Sequence, residues 1–96
     1  MSNTIILTEK RPSIDIEFIL TSAEDKKYLE DNYKKFYSIT VELSKDGLTR
    51  ITTSIWTDEN KLDEFLTDPV VLTMGQSKQT EGERLGIFRS IEVKTT

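Results

Sequence analysis

Twice along this chain the spacing of apolar residues switches from a period of two to a period near 3.6 and back, and few folds accommodate that order. The sharper switch lies in "ITTSIWTDENKLDEFLTDPVV", residues 51–71. Ile51 and Ile55 alternate as in a strand, the lone Trp56 closes that run, and Leu62, Phe65 and Leu66 then recur as the stripe of an amphipathic helix. Thr57 or Asp58 is placed to cap this helix, and Asp58 and Glu59 suit the positive end of its dipole. Asp68-Pro69 ends it, because the residue before a proline is pushed out of the α region. The same pair suits a restart, with Asp68 as cap and Pro69 in first position, and Val70, Val71 and Met74 as the apolar contacts of the new segment.

The earlier switch has the same form. "SIDIEFIL", residues 13–20, alternates Ile14, Ile16, Phe18 and Leu20 against Asp15 and Glu17, which predicts a half-buried strand. Residues 4–7 predict a short strand before it, interrupted at Pro12 because proline cannot donate to a ladder. "TSAEDKKYLEDNYKKFYSI" follows with a capping box at its start, Thr21 with Glu24 or Ser22 with Asp25. Its Leu29, Tyr33, Phe36 and Tyr37 fall on one helical face. "ITVELSKDGLTRITTSIW" predicts a hairpin turning at Asp46-Gly47, where glycine tolerates the positive φ of a tight turn. Residues 75–86, polar and punctuated by glycine, predict a loop, and residues 87–94 a closing strand.

The resulting order, β-α-β-β-α-β, is that of an α+β ferredoxin-like sandwich, a single domain over residues 1–96. Right-handed crossovers place both helices on one face of a four-stranded antiparallel sheet. Alternation assigns Ile14, Ile16, Phe18, Leu20, Ile39, Val41, Leu43, Ile51, Ile55, Ile91 and Val93 to the helix-covered face. It assigns Glu17, Glu42, Arg50, Trp56 and Phe88 to the reverse, a face either bare to solvent or, as aromatics among charges of both signs suit better, in contact with a second copy of the chain.

Composition narrows the chemistry. Neither Cys nor His occurs, which removes disulfides, thiol nucleophiles, the commonest proton shuttle and the commonest metal ligand. Glu59, Asp63 and Glu64 cluster on the second helix, where acids ordinarily face water, so no metal site is expected. A net charge of −4 disfavours nucleic acid and anionic membrane surfaces, since both are bound through Lys and Arg. An RNA-recognition sheet would also carry aromatics in a Gly-rich third strand, and "LTRITTSIW" does not. No apolar run nears the ~20 residues of a membrane span and no signal-peptide core is present, so cytoplasmic residence is expected. Any general base must be a carboxylate with a raised pKa, and Glu17 and Glu42 are the candidates, with ion pairing to Arg50 or Arg89 as the competing role.

A third strand ending "SIW", an acidic helix start and then "LDEFLTDP" resemble the dimeric α+β barrel proteins, the antibiotic biosynthesis monooxygenase-like group. The resemblance implies a homodimer whose two sheets face one another, with a pocket between sheet and helices in each subunit. Tyr33, Tyr37, Trp56, Phe65 and Met74 are the candidate walls of that pocket, and a small apolar ligand its occupant, without a cofactor. In the haem-degrading branch the helix after this strand carries a catalytic Trp and a ligating His; those positions hold Phe65 and Gly75 here. The quinone-forming branch is the nearer one, because Trp56 matches its pocket Trp, although its accompanying Asn is Thr52 in this chain. The resemblance thus supports a homodimeric ligand-binding module. Its alternative is a cofactor-independent oxygenase acting on an activated aromatic or enolisable substrate, with Tyr33, Tyr37 and Trp56 as hydrogen-bond donors where they do not simply pack the core.

Overall fold

The structure, a computed structural model, describes residues 3–95. Its elements run β1 (Thr4–Lys10), α1 (Ala23–Asn32), a single 3-10 turn (Lys34–Phe36), β2 (Tyr37–Leu43), β3 (Thr49–Trp56), α2 (Glu59–Thr67), α3 (Pro69–Leu85) and β4 (Phe88–Lys94). The four strands are antiparallel in the order β2-β3-β1-β4, with three helices, an α+β architecture compatible with a ferredoxin-like fold.

The local signals of the hairpin and the helix starts act as expected. Ser22 accepts from the Asp25 N–H at the start of α1, Asp58 from Asn60 and Lys61 at the start of α2, and Asp68 from Val70 at the start of α3. Each satisfies backbone donors that the first helical turn leaves without partners. At the hairpin, Asp46 accepts from the Ser44 hydroxyl and the Leu48 N–H, which holds its carboxyl below the usual range, the serine bond contributing most.

Two segments depart from expectation. The first strand is Thr4–Lys10 rather than residues 13–20, and it takes a central place, paired with β3 on one side and β4 on the other. Residues 11–22 instead cross over the end of the sheet without regular structure. Pro12 stops β1, and Arg11 ties the crossover down by donating to the carbonyls of Gly47 (2.8 Å) and Ile16 (3.1 Å). The alternation in "SIDIEFIL" therefore records a chain lying on a surface, with Phe18 and Ile19 turned partly inward while Ile14 and Leu20 stay exposed.

The second departure is α3, which continues through residues 75–86 instead of yielding to a loop. Gly82 is buried in it, and a Cβ there would lie 3.2 Å from the Ile87 carbonyl oxygen and 3.4 Å from Ile19. The glycine marks a close approach of backbones rather than a break. Gly86, at φ 79°, then caps the helix, and the Ile87 N–H returns to the Gly82 carbonyl.

Register settles which side chains share a face, because directly paired residues of adjacent strands point the same way. Trp56 pairs with Tyr37, Ser54 with Ile39 and Ile5, Thr52 with Val41 and Leu7, and Arg50 with Leu43 and Glu9. Across β1, Glu9 pairs with Arg89, Leu7 with Ile91 and Ile5 with Val93. The helices pack on this face: Trp56, Tyr33 and Leu62 form its buried cluster, joined by Ile5, Leu29, Tyr37, Phe65 and Val71.

The assignments for β2 and β4 thus hold as to face, although the helices leave Ile39, Val41, Leu43, Ile91 and Val93 exposed there, whereas β3 is inverted. Arg50 and Trp56 do not lie on the reverse face, and Ile51 and Ile55 do. A one-residue difference in parity exchanges a strand's two faces, and burying one indole outweighs burying two isoleucines part-way. Glu17 lies in the crossover, outside the sheet. Glu42 and Phe88 are on the reverse face, Phe88 60% exposed.

Candidate ligand cleft

One end of the space between helices and sheet is closed by aromatics. Trp56, 4% exposed, meets Tyr37 at 4.9 Å and Phe65 at 5.0 Å between ring centroids, and the edge of Tyr33 at 6.1 Å. Tyr33 and Phe65 are themselves nearly perpendicular, 5.2 Å apart. These tilted and edge-on arrangements suit the ring quadrupoles, and the indole N–H is satisfied locally by the Ser54 hydroxyl at 3.2 Å.

Asp68 holds this end together. Its Oδ2 accepts the hydroxyls of both Tyr28 and Tyr33 at 2.6 Å, while Oδ1 caps α3. One carboxylate thereby joins α1, the residue that follows it, and the break between α2 and α3. The hydroxyls of Tyr28 and then Tyr33 lower the Asp68 pKa. The Tyr33 phenol is pushed strongly upward, first by burial and second by Asp68.

Beyond Trp56 the helix layer lifts away from the sheet. Thr52 and Ser54 are small side chains in the middle of β3, and with Leu29 and Phe65 of the helix layer they surround an open space. The result is a cleft of about 370 Å³ lined by Tyr37, Trp56, Phe65, Leu29, Leu7, Ile19 and Thr52 among others. It opens between α1 and β2 into an outer groove of about 740 Å³, with Leu20, Thr21, Leu29, Tyr37 and Ile39 common to both.

The other end of the cleft is charged. Glu9, whose side chain is 2% exposed, accepts from Arg50 at 2.6 and 3.1 Å through one oxygen. Its second oxygen lies 3.4 Å from Nε of Arg89, whose side chain is 6% exposed. That separation makes an ion pair but not a hydrogen bond, and Nε of Arg89 has no hydrogen-bond partner among the described residues. Leaving such a buried donor unmatched costs about 1–3 kcal/mol or more. Lys78, reaching in from α3, donates to the Thr21 hydroxyl at 2.7 Å. Burial, followed by the charge of Arg89, lowers its pKa. Arg50 also lies over the ring of Phe18 at 4.6 Å, as does Arg11 at 4.4 Å, so the crossover forms a lid on the charged end.

Of the residues expected in a pocket, Tyr37, Trp56 and Phe65 line this cleft together. Tyr33 packs behind them with its hydroxyl committed to Asp68, and Met74 faces a separate shallow groove with Asp25 and Val70 between α1 and α3. Glu9, Lys78 and Arg89 are lining residues that sequence reasoning missed, and Arg50 is one that it placed on the wrong face. A signal for them existed: Glu9 continues the alternation of Ile5 and Leu7, and Arg89 that of Ile91 and Val93. Charged residues at inward-facing strand positions are expensive unless something uses them.

Among the described residues no group of acidic side chains is placed to hold a metal ion, and no helix is long and apolar enough to cross a membrane. Comparison of the sequence with protein-family models finds no match, nor do comparisons with curated proteins and solved structures. Fold and cleft define a small α+β domain with a four-stranded antiparallel sheet and a half-open space beneath its helices.

Proposed function

We propose that this chain is a binding module that holds a small molecule with an apolar body in the cleft between helices and sheet, and that it works as a homodimer in the manner of the dimeric α+β barrels it resembles. The observation that carries the ligand reading is the cleft, about 370 Å³ beside three aromatic rings, in the range of small-molecule sites. The dimer reading is supported by the reverse face of the sheet, where Phe88 is exposed at one end beside Lys10 and Ile55 at the other, with Glu42, Glu92 and Lys94 on the same face. Exposed apolar side chains among charges of both signs suit pairing with a second copy of the same face.

Calorimetric titration with 2-naphthylmethanol, a neutral bicyclic probe, tests the ligand reading. Saturable binding is expected in the native chain and should be lost in Thr52→Phe, which fills the middle of the cleft. Absence of saturation in the native chain would sink it. For self-association, sedimentation should show a dimer that Phe88→Glu weakens by tenfold or more; a native chain that remains monomeric at high concentration defeats the dimer.

A further inference from the structure

The charged end of the cleft carries more positive charge than its own structure uses. Arg50, Lys78 and Arg89 line it against the single carboxylate of Glu9. Glu9 accepts from Arg50 through one oxygen and stands 3.4 Å from Arg89 with the other, so one carboxylate serves two guanidinium groups. Arg89 remains buried with Nε lacking a hydrogen bond, and Lys78 has only a neutral hydroxyl. Three cations against one carboxylate in a half-enclosed space are unfavourable for folding, because burial strengthens their repulsion. The lowered pKa of Lys78, with burial and Arg89 as its leading causes, is a consequence of that crowding.

We propose that the ligand of this cleft is an amphiphile with a carboxylate head, bound between Arg89 and Lys78, whose apolar body runs along Trp56 and Tyr37 toward the mouth at Leu20 and Ile39. This rests on the binding-module reading above and specifies its ligand class. A carboxylate suits the site better than a phosphate monoester because of Glu9. Glu9 stands within ion-pair distance of Arg89 and would repel a second full negative charge. The apolar walls begin directly beyond the cations, so head and body are recognised by adjoining parts of one space.

Titration of the native chain with 2-naphthoate, 2-naphthylmethanol and 2-naphthyl phosphate tests the assignment. The carboxylate should bind at least tenfold more tightly than the alcohol and more tightly than the phosphate. In Lys78→Met and in Arg89→Met the carboxylate should lose that advantage while the alcohol binds as before. Lys78 is partly exposed on α3, so its variant retains the fold even if the Arg89 change disturbs β4. Equal binding of alcohol and carboxylate to the native chain, tightest binding of the phosphate, or an advantage that survives in Lys78→Met would each overturn the carboxylate assignment while leaving the cleft as an apolar site. Failure of all three probes would remove the binding-module reading itself.

Discussion

The two ends of the helix–sheet interface are built to opposite rules. At the Trp56 end, packing brings partners to the buried polar atoms: the indole N–H has Ser54, and the hydroxyls of Tyr28 and Tyr33 have Asp68. At the Glu9 end, a similar depth of burial leaves a guanidinium nitrogen unmatched and a lysine crowded by arginines. The first end is where burial and hydrogen bonding agree, and it holds the fold. At the second they conflict, and a fold tolerates such conflict where something outside the chain relieves it. Stability and binding are thus assigned to different ends of one interface, separated along β3 by only Thr52 and Ser54.

Substitutions should separate the two ends. Trp56→Ala is expected to have the largest effect, a loss of about 3–5 kcal/mol of unfolding free energy, because it opens a cavity against Tyr33, Tyr37 and Phe65. Chemical denaturation measures it, and a loss below about 1 kcal/mol would show that the aromatic end does not carry the fold.

Asp68→Asn comes next, at about 1.5–3 kcal/mol, because it removes the charge from two hydrogen bonds while an amide oxygen can still cap α3. Its pH dependence follows from sign. The folded pKa of Asp68 is depressed, so its contribution is present above the ordinary 3.8 and is lost as pH falls through the lowered folded value. Tyr33 behaves oppositely: its folded pKa is raised, so its contribution is complete below the ordinary 10 and is lost as pH climbs above it. Denaturation midpoints of the native chain should therefore fall at both extremes. The difference between native and Asp68→Asn chains should shrink at the acid extreme, and a constant difference would argue against this carboxylate as the clasp.

The smallest effect, and the one of opposite sign, is expected at the charged end. Lys78→Met should raise stability by about 0.5–1 kcal/mol at neutral pH, since it removes a desolvated surplus cation while keeping the length of the stem. The folded pKa of Lys78 is lowered, so its unfavourable contribution is present below that value and is relieved as pH rises through it toward 10.5. The gain from the substitution should fade accordingly in alkaline solution. Destabilisation by Lys78→Met would mean that its bond to Thr21 matters more than its charge, and that the two ends follow the same rule after all.

Much of the architecture was legible because it depends on neighbours in sequence. Ser22, Asp58 and Asp68 mark helix starts through bonds to residues two or three positions on, and Asp46-Gly47 turns the hairpin through bonds within five residues. Residues 75–86 misled because polarity and glycine are local correlates of loops, whereas the close approach of Gly82 to Ile87 and Ile19 is a tertiary fact. Of the candidate site, Tyr37, Trp56 and Phe65 were found through apolar spacing, which signals burial. Glu9, Lys78 and Arg89 were not, since a charge in isolation reads as surface.

By itself the amino-acid sequence determined where helices and turns begin and that strands and helices follow the order β-α-β-β-α-β, because capping, proline geometry and periodicity act over a few residues. Only the tertiary structure decided that Thr4–Lys10 rather than "SIDIEFIL" takes the central strand, and that β3 turns Trp56 and Arg50 toward the helices. Strand pairing joins residues some forty positions apart, and alternation looks the same from either face until a partner fixes the register.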